Sequence, residues 1–301
     1  MNTGAVVTAR GVTKKYSQST ALDDVSFTIR EHAIYGLLGR NGAGKTTLMQ
    51  ILTGQAFATA GQVEVFGAAP YENDAVLTDV CFVKESQRYP DTFAVRHALH
   101  SARLLFPNWD EDFAQSLVDE FGLPRKRRVK KLSRGMVSAL GVIIGLASRS
   151  RLTLFDEPYL GLDAVARQLF YDRLLADYAA HPRTVLLSTH LIDEVGDLIE
   201  HVLLLDRGRL LVDEDAETLR GQAVSLVGSA QAVEKFTSTR DELHRDQLGG
   251  TVRVTLRGPF DADDRARAET FGLDIQPVSL QQLVVHLTSP TGTTAVKEVV
   301  R

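Results

Sequence analysis

"GRNGAGKT", residues 39–46, sits between an apolar run, "AIYGLLG" (33–39), and a helical stretch, "KTTLMQILTG" (45–54), closed by Gly54. It fits a pattern of glycine, four residues, glycine, lysine, then serine or threonine. Backbone N–H groups can close around a phosphate only where side chains do not intrude, so Gly39, Gly42 and Gly44 keep the loop open. The helix that starts there adds the positive end of its dipole. Lys45 is placed to reach the β- and γ-phosphates of a nucleotide, and the Thr46 hydroxyl to meet Mg2+. Asn41, Ala43 and Thr47 complete the nucleotide-binding positions.

Two later apolar runs, "RLTLFDE" (151–157) and "TVLLSTH" (184–190), read as buried strands flanking the helical "AVARQLFYDRLLADYAA" (164–180). Strands alternating with helices predict an α/β fold with a mainly parallel core sheet. Ligands in such sheets bind beyond the carboxyl ends of the strands. Asp156 and Glu157 end one of these runs and His190 ends the other. With a phosphate loop upstream, Asp156 becomes the candidate to hold Mg2+, directly or through water. Glu157 is then placed to orient or deprotonate an attacking water.

Other stretches set the organisation. "GQVEVFG" (61–67) alternates like an exposed edge strand or hairpin. From about residue 90 to 123 the pattern is helical, broken by "PNWD" (107–110). "KKLSRGMVS" (130–138) precedes the apolar "ALGVIIGLA", so Ser133 reads as a helix cap. Beyond about residue 220 the segments run strand, helix, strand, strand, helix, strand, with a last helix at "SLQQLVVHLT". The expected domains are 1–220, with a helical subdomain at about 90–148, a small α+β domain at 221–290, and a tail at 291–301.

At 301 residues the chain is long enough for two domains. A net charge of −4 gives no electrostatic reason to expect nucleic acid as a partner. One cysteine, Cys81 in "VCFV", excludes an intrachain disulfide and reads as core packing. The N-terminus lacks the basic start and apolar run of a secretory leader, and nothing approaches the roughly 18 apolar residues of a spanning helix. A soluble chain is therefore expected, with any membrane role supplied by another subunit.

Taken in order, "GRNGAGKT", "LSRGM", "LFDEPYLGLD" and "STH" resemble the ATP-binding subunit of ABC transporters over roughly residues 5–220. The resemblance implies a P-loop NTPase of ABC type, with an antiparallel β subdomain and a helical subdomain beside the core sheet, acting as an ATPase with ATP and Mg2+. In that family two such domains face each other head to tail, and each signature motif grips the γ-phosphate of the ATP on its partner. Ser133 and Gly135 are thus implied as partner-site residues, and Asp163 falls where the two subunits sense each other. His190 is implied to steady the γ-phosphate, and Tyr16 to stack on adenine. The helical region meets the membrane subunit, which implies a separately encoded integral-membrane permease and a place on the cytoplasmic face of the membrane. The basic run "RKRRVKK" (125–131) reads as a solvated face or as a contact near lipid headgroups.

Two motifs depart from the family pattern. Arg134 and Met136 replace a glycine and the final glutamine of the signature. The glutamine expected near Mg2+ about 40 residues past the loop lysine is replaced by Glu85, unless Gln87 is its equivalent. A carboxylate at 85 can still ligate Mg2+ and implies altered metal dependence. Details of "LFPNWDED" and "LSRGM" look like the exporter branch that includes YtrB-like and antibiotic-resistance ATPases. The rival readings are a soluble non-transport ABC ATPase and a weakly hydrolysing nucleotide sensor.

Overall fold

A computed structural model describes residues 4–288 apart from 86, 239 and 259. The chain opens on a long hairpin that the sequence reading did not delineate. β1 (Ala5–Tyr16) and β2 (Ser19–Arg30) pair antiparallel; the alternate residues Val25, Phe27 and Ile29 of β2 turn inward, as does Leu22 beyond a shift in register. β3 (Ile34–Leu38) is buried at every position and leads through the glycine loop into α1 (Lys45–Leu52). β4 (Ala60–Val65) returns to pair with β1, so a three-stranded sheet forms in the order β2-β1-β4, with β4 at the edge expected of it.

The short α2 (Asp74–Leu77) precedes β5 (Val80–Val83), which carries Cys81 into the core. Burial pushes that thiol up to about 12, as expected of an inert packing residue. Two helices follow, α3 (Val95–Leu105) and α4 (Glu111–Glu120), the second capped by Asp110, whose carboxylate accepts from the Phe113 N–H at 2.9 Å. α5 (Arg134–Ala147) starts at Ser133 and runs to β6 (Leu152–Asp156); α6 (Ala164–Ala180) then leads to β7 (Thr184–Thr189).

β3, β6 and β7 are buried throughout because a parallel sheet is covered on both faces. With β5, β8 (His201–Asp206) and β9 (Arg209–Asp215) they form a six-stranded sheet in the order β5-β6-β7-β3-β8-β9. Its β5–β6, β6–β7 and β7–β3 pairs are parallel. Leu152, Leu154, Leu186, Leu203 and Leu205 from this sheet share one core with α1 and with the inward faces of β1 and β2.

The chain divides into two compact units: residues up to 190 with 203–210, and 191–202 with 211 onward. The expected boundary near 220 is therefore not where the structure divides. α7 (Ile192–Val195) and α8 (Ala216–Gly221) belong to the second unit because α11 (Leu280–Thr288) packs on both. Composition changes only where the later strands begin, so that packing left no mark near residue 191. Between α8 and α11 lie β10 (Ala223–Ser229), α9 (Ala230–Thr237), β11 (Glu242–Leu248), β12 (Thr251–Arg257), α10 (Ala262–Thr270) and β13 (Asp274–Pro277). The antiparallel sheet order is β11-β12-β10-β13, around Leu226, Phe236, Val254, Leu256 and Leu273. The expected tail, 291–301, lies outside the described residues.

Gly145, inside α5, is a close-packing position. A β-carbon there would run into the Phe155 ring and lie 2.8 Å from Val83 Cγ2. Gly145→Ala is expected to lose about 1–3 kcal/mol of stability. Gly221→Ala, which meets nothing within 4 Å, should stay within about 1 kcal/mol of the parent. Urea denaturation of the two variants checks this.

Candidate active site

The parallel register sets Asp156 opposite Ser188 and Leu38 opposite Thr189, so the ends of β6, β7 and β3 lie level. Onto this edge α1 brings Thr46, whose Oγ1 donates to Asp156 Oδ2 at 2.8 Å. The other carboxylate oxygen, Oδ1, accepts from Ser188 Oγ at 2.7 Å, and the Glu157 N–H donates to that same Ser188 oxygen at 3.1 Å. Glu157 has φ of 49°, a left-handed conformation that costs a non-glycine residue about 1–3 kcal/mol. The Ser188 bond helps to hold it there.

Lys45 is buried with its Nζ donating to the Gly39 carbonyl at 2.7 Å and lying 3.4 Å from Glu157 Oε1. Gly44 has φ of 109°, and a β-carbon on it would lie 2.5 Å from the Ala21 carbonyl, so no other residue fits. At Gly42, φ 81°, a β-carbon would meet nothing within 4 Å and would simply project into open space. α1 begins with no side-chain cap and no acidic residue in its first turn, which leaves its N-terminal N–H groups to an anion. Residues 41–47 line a cleft of about 550 Å³ together with Glu85, Arg134, Glu157 and His190. A cleft of this kind, edged by open N–H groups and a buried ammonium, fits a nucleotide's phosphates. Thr46 and Asp156 present hard oxygen donors, the set that Mg2+ uses together with substrate phosphates.

Tyr159 is the residue that sequence reasoning passed over, although "LFDEPYLGLD" contains it. It is buried, and its hydroxyl donates to Glu157 Oε2. The same hydroxyl accepts from Thr189 Oγ1 and from the His190 N–H, each at 3.0 Å. Burial first, and the Glu157 bond second, hold the phenol far above its ordinary range, so it stays a donor. His190 Nδ1 lies 2.7 Å from Glu157 Oε2. The available signal was an aromatic residue two positions past a strand-end carboxylate.

The remaining expected positions lie away from the cleft wall. Ser133 caps α5, its Oγ accepting from the Met136 N–H at 3.2 Å, and Gly135 packs so closely on the Gly161 carbonyl that a β-carbon would collide with it. Asp163 caps α6 by accepting from the Ala166 N–H at 2.8 Å. Tyr16 ends β1, half exposed, with the Lys14 ammonium 5.1 Å from its ring centre. The two departures from the family pattern meet each other: Arg134 Nη2 lies 2.8 Å from Glu85 Oε1 on the cleft rim.

The fold and these groups define a P-loop ATPase of the ATP-binding-cassette class. The family model described as "ABC transporter" matches residues 22–160. Nod factor export ATP-binding protein I of Mesorhizobium japonicum is 32% identical over 298 residues, covering 92% of this chain and 85% of that one. ABC transporter ATP-binding protein YtrB of Bacillus subtilis is 25% identical over 221 residues, covering 73% and 76%. Among solved structures, a dimeric, post-hydrolysis ATP-binding cassette bound to ADP and Pi is similar with a TM-score of 0.62 at 20% identity, over 70% of this chain and 98% of that one. The chain belongs to the ABC transporter ATP-binding proteins and is an ATPase of that transport family.

Arg134 and Glu85 are both well exposed, and such pairs contribute at most about 1 kcal/mol to stability. Their consequence is local charge on the lining of the cleft. Arg134→Gly, leaving the carboxylate uncompensated, is expected to raise the KM for MgATP about two- to tenfold. Glu85→Gln should lower it or leave it unchanged, and the double variant should return near the parent. Steady-state ATPase assays across Mg2+ concentrations check the sign of each change.

Proposed function

We propose that this chain is one of two ATP-binding subunits that power a membrane exporter. Two copies, or this chain and a related one, close head to tail on two ATP molecules and draw attached permease subunits together; hydrolysis lets them part. The observation that carries the reading is the convergence of Lys45, Thr46, Asp156, Glu157 and His190 on one cleft at the carboxyl edge of the sheet. The export-type relatives support the direction of transport. Among the described residues no helix is long and apolar enough to cross a membrane, which accords with a separately encoded permease and a peripheral place on the cytoplasmic face. No nucleic acid is required.

In this reading the loop N–H groups and Lys45 bind the phosphates, while Tyr16 stacks on adenine. Thr46 and Asp156, with Glu85 or Gln87 from the segment after β5, would hold Mg2+, which would supply neutralising charge at the phosphates. Glu157 accepts the proton of the attacking water, and His190 steadies the γ-phosphate. Ser133, Gly135 and Asp163 serve the partner's nucleotide. Catalysis is mostly positioning and charge stabilisation of a loose phosphoryl transition state.

Glu157→Gln is expected to bind ATP, form a stable dimer and lose at least about a hundredfold in turnover, measured by phosphate release and by size-exclusion chromatography with ATP. Full turnover in that variant removes Glu157 as the base. The partner is tested by a tagged pull-down from mildly solubilised native membranes. A polytopic hydrophobic chain in near-equal amount is the expected result; soluble partners alone, with ATPase activity intact, would transfer the protein to a non-transport role.

A further inference from the structure

A tyrosine hydroxyl has one hydrogen and two lone pairs, and at Tyr159 all three are engaged. The His190 N–H and Thr189 Oγ1 both donate to it, which leaves its own hydrogen for Glu157 Oε2. His190 Nδ1 lies 3.1 Å from the phenol oxygen but 2.7 Å from Glu157 Oε2. With the phenol's lone pairs occupied, Nδ1 must carry a hydrogen and give it to the carboxylate, since a bare nitrogen would face a bare oxygen there. Oε2 is therefore held twice. Oε1 is buried, has no hydrogen-bond partner, and faces Lys45 Nζ at 3.4 Å on the cleft side.

We propose that Tyr159 is a positioning residue for ATP hydrolysis: its hydroxyl pins one oxygen of Glu157 and orients His190, so that Oε1 takes the water proton and Nε2 faces the γ-phosphate. The inference rests on the ATPase reading. Water oxygen bonds to the γ-phosphorus while the bridging P–O bond breaks, its electron pair leaves with ADP, and the water proton passes to Oε1. A carboxylate free to rotate would present either oxygen and lose that alignment. The left-handed backbone at Glu157 makes such a tether more necessary, because the chain there is not in a conformation its side chain favours.

Tyr159→Phe removes one oxygen atom and keeps the ring. In the full chain, kcat is expected to fall roughly 10- to 100-fold, while the KM for ATP and direct nucleotide binding stay within about twofold. In 15N-histidine spectra of the parent, His190 should show a protonated Nδ1, and Tyr159→Phe should move it toward a mixture of tautomers. A merely structural tyrosine would change KM and thermal stability together, and leave the ring signal in place. Turnover within about twofold of the parent overturns the proposal, as does a parent spectrum with protonated Nε2 alone. Should Tyr159→Phe fail to fold, Thr189→Val removes one donor to the phenol; it is expected to cost about three- to tenfold in kcat at unchanged KM, and no loss overturns the proposal. A parent chain that releases no phosphate from ATP defeats the ATPase reading itself, whereas an active parent with an equally active Tyr159→Phe defeats this inference alone.

Discussion

Three parallel strands end side by side, and the pairing that sets Asp156 opposite Ser188 and Leu38 opposite Thr189 fixes where the polar side chains of the cleft can stand. Side chains alternate along a strand, so a one-residue slip of β6 against β7 would send Asp156 to the opposite face and part it from Thr46. The register is secured by packing on both faces of the sheet. Leu152, Leu154, Leu186 and Leu187 have no solvent exposure, and a slip would press each into space shaped for a different side chain, at a cost of about 1–3 kcal/mol. The precision of the cleft is thus inherited from an apolar core that touches no substrate.

Charge is concentrated at this edge with little solvent to soften it. Asp156, Glu157 and Lys45 are all buried, and unpaired buried charges cost several kcal/mol each. Each is answered locally. Thr46 and Ser188 take the two oxygens of Asp156, Tyr159 and His190 share one oxygen of Glu157, and Lys45 holds the Gly39 carbonyl while facing the other. Two carboxylates in sequence thereby receive different surroundings. Asp156 is bonded at both oxygens by hydroxyls, whereas Glu157 keeps one oxygen without a hydrogen bond. The rim pair of Glu85 and Arg134 extends the same logic outward, where water weakens it.

The parallel core was legible because buried strands read as short apolar runs, and "AIYGLLG", "RLTLFDE" and "TVLLSTH" became β3, β6 and β7 within a residue or two. The C-terminal order of strands and helices was legible too, since polar turns separate its segments. The β1–β2 and β8–β9 hairpins were not delineated. β1 mixes buried and half-exposed residues irregularly where bulges shift its register, and such bulges blur the two-residue period.

The sequence by itself determined the phosphate loop, the strand-end acids and the family, because those functions demand particular residue types at fixed local spacing. Glycine must stand where a backbone turns left-handed beside another chain segment, and lysine must follow it. Only the tertiary structure decided which distant residues those groups would meet. The pairing of Glu85 with Arg134, the packing of α11 on α7 and α8, and the bonds of Tyr159 to Thr189 and His190 all join residues by folding. No local pattern encodes them: a hydrogen bond across adjacent strands depends on register, and register is set by the whole buried sheet.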